Sequence, residues 1–206
     1  MPGWLSQLAL AAAGLDAGPL QLPADGGGRA SAVLILFGCE QGEPDLLLIQ
    51  RSDDLRLHAG QPAFPGGAID ADDSGPVAAA LREAAEETGL DPGGVDVVGV
   101  LPELFIPRTG FRVVPVLAWW RQPSAVAPVD AGEVAAVARI KVSELADPAV
   151  RVTLHGPAGY ASPVFRVHGM FIWGFTALLI DRLLTLGGWE KPWDHSVTAE
   201  LPSRSG

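Results

Sequence analysis

Apolar positions along the chain come in short runs separated by polar turns. Residues 31–38 (SAVLILFG) and 45–50 (DLLLIQ) flank the polar turn CEQGEP, which predicts two neighbouring strands. The runs at 95–101, 111–119 and 133–140 are strand-like, and 150–154 with 163–169 form a further strand pair. The spacing predicts a helix from Pro76 to Thr88, with Asp73 or Ser74 near its N-cap, Pro76 in its first turn and Gly89 as its stop. VSELADP starts a short helical turn, and a final helix is expected around 171–186. A short amphipathic helix is expected over Met1–Leu15, followed by a Gly/Pro-rich linker, and residues 51–65 read as a loop. The expected organisation is an N-terminal helix and linker (1–30), one domain (31–190) and a tail (191–206). Strands interleaved with two substantial helices predict an α/β sandwich with a mixed sheet.

The helix at 76–88 carries the chemistry. Its 3.6-residue period places Val77, Leu81, Ala84 and Thr88 on one side and Glu83, Glu86 and Glu87 on the other. A solvated polar face is the plain reading of that pattern. It is a poor one, because acidic neighbours three and four residues apart repel and the C-terminal half of a helix disfavours negative charge. Arg82 is the single cation beside the three carboxylates. A divalent cation would balance them, since Mg²⁺ and Mn²⁺ prefer hard oxygen ligands and carboxylates one turn apart can converge. Gly66 and Gly67 would let backbone approach the same point closely.

Composition narrows the field. The formal charge of −10 argues against a nucleic-acid or anionic-membrane binder, whose surfaces rest on clustered Lys and Arg. The single cysteine, Cys39, leaves no internal disulfide and reads as a buried thiol. The N-terminal apolar run has no basic leader, the first basic residue being Arg29, and the 12-residue run 169–180 is too short to span a bilayer. A cytoplasmic protein is expected.

Residues 66–90 read GGAIDADDSGPVAAALREAAEETGL, and REAAEETGL resembles the second half of the Nudix hydrolase signature. Arg82, Glu83, Ala84, Glu86, Glu87, Gly89 and Leu90 occupy its fixed positions. The first half departs from it: the interval from Gly67 to Arg82 is one residue longer, and Asp73 or Ser74 stands where a glutamate is usual. Whether Asp70 or Asp73 serves the site is left open. The resemblance implies a Nudix-type α/β/α sandwich with the signature as loop–helix–loop. It also implies an Mg²⁺ or Mn²⁺ cofactor held by Glu83, Glu86 and Glu87 with the Gly67 carbonyl, Gly66 at the approach, and Arg82 orienting a glutamate by a salt bridge.

The preceding stretch, LLLIQRSDDLRLHAGQPAFPGG (46–67), resembles the motif of the coenzyme A pyrophosphatase branch of that family. Ile49 stands where threonine is usual. This resemblance implies hydrolysis of the diphosphate of coenzyme A or acyl-CoA to 3′,5′-ADP and (acyl-)4′-phosphopantetheine. Arg51 and Arg56 suit phosphate geometry, His58 lies beside them, and Phe64 belongs to the same substrate loop, as packing more than as a stacking partner. The general base is expected among Glu86, Glu133 and Glu103, the last two lying outside the signature. Two alternatives stand: a Nudix enzyme acting on ADP-ribose, NADH or nucleoside triphosphates, and a non-catalytic nucleotide sensor. The partner expected is a small diphosphate, with no nucleic acid and no membrane. Oligomeric state, a homodimer included, is left open.

Overall fold

The computed structural model describes residues 1–15, 20–24, 26–53, 59–156 and 161–201. Helix α1 (Gly3–Ala12) leads into β1 (Arg29–Glu40) and β2 (Glu43–Arg51), then the short β3 (Pro62–Ala63) and β4 (Gly66–Ala68). Helix α2 (Pro76–Thr88) follows, with β5 (Val95–Val100), β6 (Leu104–Ile106), β7 (Phe111–Trp120) and β8 (Val134–Lys141) after it. The chain ends through α3 (Val142–Leu145), β9 (Arg151–His155), β10 (Ala161–Val167), β11 (Met170–Ile172), α4 (Gly174–Leu186) and β12 (Thr198–Ala199).

The larger sheet runs β3–β2–β1–β7–β5, with β4 added to β1, β6 to β7 and β8 to β2. It is mixed: β1 and β7 are parallel, from Arg29 beside Phe111 to Phe37 beside Trp119, whereas β1 and β2 are antiparallel. Strand alternation sorts its side chains onto two faces. Leu34, Leu36, Leu47, Val116, Ala118 and Trp120 pack with Ala79, Ala80 and Ala84 of α2. Ile35, Phe37, Leu46, Leu48 and Leu117 pack on the opposite face with Leu5 and Leu8 of α1 and Ile180 and Leu183 of α4. A second sheet, β11–β10–β9–β12, joins that face through Phe165 and Val167. The expected α/β/α sandwich with a mixed sheet is the observed fold.

Three local expectations are corrected. The residue before α2 is Gly75, with φ 143° and no side-chain cap, because Asp73 is committed to Arg82 instead. The start of the expected last helix is strand: Val167–Phe165 pair with Met170–Ile172, and the helix begins only at Gly174. Cys39 is exposed, at the end of β1 where the strand leaves the core for its turn. The expected N-terminal amphipathic helix is present as α1, and it packs into the core: Leu5, Leu8 and Ala12 are buried and Trp4 lies edge-on to Phe37 and Trp189. Among the described residues no helix is long and apolar enough to cross a membrane.

Candidate active site

The site begins where β4 lies against β1. Ala32 opposes Gly67 and Val33 opposes Gly66 in an antiparallel register. A side chain at Gly66 (φ 154°) would meet the Ala32 carbonyl at 2.3 Å, so only glycine fits there. At Gly67 the volume a Cβ would need is filled by the Glu83 carboxylate, at 2.4–2.5 Å. The two glycines therefore seat one edge of α2 directly on the strand.

Helix α2 buries Ala80, Ala84, Glu87 and Thr88, and leaves Val77 and Leu81 half-buried. The buried stripe is thus rotated from the one that hydropathy alone predicted. Alanines let the helix approach the sheet, and that close approach carries Glu87 inward. Glu87 is 6% exposed. Its Oε2 accepts a hydrogen bond from the Gly66 N–H at 2.9 Å, and its Oε1 lies 3.4 Å from Arg51 Nη1. Burial is the largest influence on this carboxyl and pushes its pKa up to about 7, with Gly66 and Arg51 opposing and Glu83 and Glu133 adding to the rise. Glu83 is also raised, again mainly by burial.

Arg82 is the hub of the exposed edge. Its Nε and Nη2 donate to the two oxygens of Asp73 at 3.1 and 2.9 Å, and Nη2 also donates to the Ala68 carbonyl at 3.1 Å. Nη1 donates to Glu83 Oε1 and Glu86 Oε2, both at 3.0 Å. Asp73 pulls the Arg82 pKa further above its ordinary value, and Arg82 in turn holds Asp73 below its own. The sequence left Asp70 and Asp73 undecided. The geometry gives the bidentate brace to Asp73, while Asp70 sits 3.5 Å from Nη2. The signal was present in the sequence as the aspartate nine residues before Arg82, but its pairing depended on the turn at 70–75.

The expected metal ligands are adjacent but not drawn together. Among the described residues no three of His, Cys, Asp and Glu form a closed ligand set. Glu83 and Glu86 face Arg82, and Glu87 faces Gly66 and Arg51. The donor chemistry nevertheless suits a hard divalent cation: three carboxylates lie along one stretch of α2, with Glu83 against Gly67 and Glu87 against Gly66.

The segment expected to meet substrate is tied to its neighbours by backbone bonds. The Arg51 N–H donates to the Gln61 carbonyl at 3.1 Å, and the Ser52 N–H donates to the Glu133 carbonyl at 2.9 Å. Arg56 and His58 lie outside the described residues. Phe64 packs, as the sequence favoured, and at 2% exposure it belongs to the main core with Leu48, Leu104 and Ile172, which leaves it no substrate surface. Of the candidate bases, Glu86 is 60% exposed on the helix edge. Glu133 is exposed, close enough to Glu87 to raise its pKa, and its carboxylate has no hydrogen-bond or ion-pair partner among the described residues. Glu103 is instead 3.3 Å from Arg112. Arg112 also donates to the Gly26 carbonyl, and Arg108 lies over the Trp173 ring.

The family model described as "NUDIX domain" matches residues 28–156, more than half of the chain. The chain belongs to the Nudix family. Relatives agree: an "Uncharacterized Nudix hydrolase NudL" from Citrobacter koseri is 40% identical over 162 residues, covering 75% of this chain and 81% of that one. Another of the same description, from Cronobacter sakazakii, is 42% identical over 171 residues, covering 80% and 85%. A crystal structure of a Nudix hydrolase from M. smegmatis, RenU, superposes with a TM-score of 0.56 at 21% identity, covering 82% of this chain and 91% of that one, and supports the fold. The protein is accordingly a Nudix hydrolase, and the stretch that resembles the Nudix signature lies on α2 and its preceding loop.

Proposed function

We propose that this Nudix hydrolase cleaves the diphosphate of coenzyme A or acyl-CoA, giving 3′,5′-ADP and 4′-phosphopantetheine or its acylated form. The observation that carries the reading is the join between the two sequence motifs. Arg51, from the stretch that resembles the coenzyme A branch, touches Glu87 of the signature helix, and Glu87 accepts from Gly66 in the FPGG that links them. A phosphate-binding arginine and a buried metal-helix carboxylate thus share one point.

Glu83, Glu86 and Glu87, with the Gly67 carbonyl, would hold Mg²⁺ or Mn²⁺. Bound there, the cation would supply charge neutralisation on the diphosphate and acidify a water. The chain's own residues do the rest. Asp73 fixes Arg82, which sets the rotamers of Glu83 and Glu86. Arg51 presents a cation to the diphosphate. Glu133, exposed and beside Glu87, takes the proton from the water that attacks phosphorus. Replacing Glu133 by Gln is then expected to lower kcat by about 100-fold, with Mn²⁺ affinity near wild type. An unchanged kcat would return the role to Glu86.

The direct test is a substrate panel with Mg²⁺ or Mn²⁺ saturating. The reading requires kcat/KM for coenzyme A above that for ADP-ribose, NADH and nucleoside triphosphates. Preference for ADP-ribose would overturn the branch assignment while leaving the hydrolase intact. Ligand binding without turnover of any diphosphate would instead indicate a sensor.

A further inference from the structure

Arg51 is placed to do more than bind a phosphate. Its side chain is 28% exposed against 6% for Glu87, so the guanidinium lies partly in the wall of the site. Nη1 lies 3.4 Å from Glu87 Oε1, long for a charge-assisted hydrogen bond. Nε is buried and has no hydrogen-bond partner among the described residues. The Arg51 backbone is fixed by its N–H bond to Gln61 and by pairing of β2 with β8, where the register shifts between Gln50 and Arg51. The guanidinium therefore has one loose anionic partner and one orphaned donor on a fixed backbone.

The same Glu87 oxygen is wanted by two cations. Glu87 Oε2 already accepts from the Gly66 N–H, and Oε1 is the oxygen for which Arg51 and a metal held by α2 would compete. A divalent cation at Glu87 would sit beside a guanidinium, and like charges at short range in a half-buried site repel strongly. A diphosphate relieves the conflict by giving both Arg51 and the metal an anionic partner.

We propose that Arg51 couples metal loading to diphosphate binding by competing with the divalent cation for Oε1 of Glu87. This rests on the metal site proposed above and assigns Arg51 as a positioning residue for it. Without a diphosphate, Arg51 weakens metal binding. With one, the guanidinium turns to phosphate and leaves Oε1 of Glu87 to the metal. By reciprocity, the metal then strengthens diphosphate binding by the same factor.

The test measures Mn²⁺ binding to the full chain by electron paramagnetic resonance, first with the metal alone and then with methylenediphosphonate as a diphosphate that does not hydrolyse. With metal alone, Arg51→Gln is expected to bind Mn²⁺ about five-fold or more tightly than wild type. Arg51→Lys, which keeps the charge, should stay near wild type. Methylenediphosphonate should raise Mn²⁺ affinity less in Arg51→Gln than in wild type. Arg51→Met keeps the aliphatic stem and gives the same readout should the glutamine variant fold poorly. Unchanged or weaker Mn²⁺ binding in the neutral variants, with an undiminished response to methylenediphosphonate, overturns the coupling alone. Loss of distinction between wild type and Glu86→Gln or Glu87→Gln in Mn²⁺ binding overturns the metal site, and the coupling with it.

Discussion

Glu87 concentrates the conflict on which the site depends. A carboxylate that would be ionised at pH 7 in solution is held at 6% exposure, with its pKa pushed up to about 7. The fold thus prefers the protonated form more than the unfolded chain does. The stability this group contributes is fully present below its ordinary value of 4.5 and is lost as pH rises through about 7. Without divalent metal, wild-type stability is expected to decline across that window by on the order of 3 kcal/mol from this group. Glu87→Gln should flatten the decline, and denaturant titrations at pH 5 and pH 8 measure it. Adding Mn²⁺ at pH 8 should then stabilise wild type more than the variant. A decline of equal size in both proteins would remove Glu87 as its source.

At the scale of elements, α2 works because its preceding loop is pinned to it. Asp73 lies before the helix and Arg82 within it, and their two hydrogen bonds set the arginine that reaches Glu83 and Glu86. Asp73→Ala is expected to free Arg82 and lower kcat while circular dichroism stays near wild type. Full activity in that variant would show that Arg82 orients the glutamates unaided. The bounds of α2 were legible in Pro76 and Gly89, and its acidic edge in the unbalanced glutamates. Its rotation was not, because hydropathy ranks Leu81 and Val77 above Ala80 and Ala84, while packing against a sheet rewards small side chains. Asp73 looked like a helix cap for a similar reason: local preference names the residue type, but the partner is set by how the loop folds back. The strand Met170–Ile172 was hidden because its apolar run continues without a break into α4 until the turn at Gly174, whose φ is 63°.

Across the whole molecule, one face of the large sheet carries the signature helix and the other carries the mass of the core. Helix α1 belongs to that core, with Leu5 and Leu8 fully enclosed against α4 and the sheet. Leu8→Ala is expected to cost about 2–5 kcal/mol, read by denaturant unfolding, with catalytic constants unchanged in the folded fraction. A cost near zero would mean that α1 rests on the domain without supporting it. The alternation of apolar positions showed the sheet, and the stretch resembling the signature marked the candidate site. The proposed substrate rests on the stretch around Arg51, to which the structure adds the contact with Glu87. The most direct measurement is therefore chemical. The protein is incubated with coenzyme A and Mg²⁺ or Mn²⁺, and the products are identified by mass. The account predicts 3′,5′-ADP and 4′-phosphopantetheine, formed only with metal. Intact coenzyme A beside cleaved ADP-ribose would contradict it.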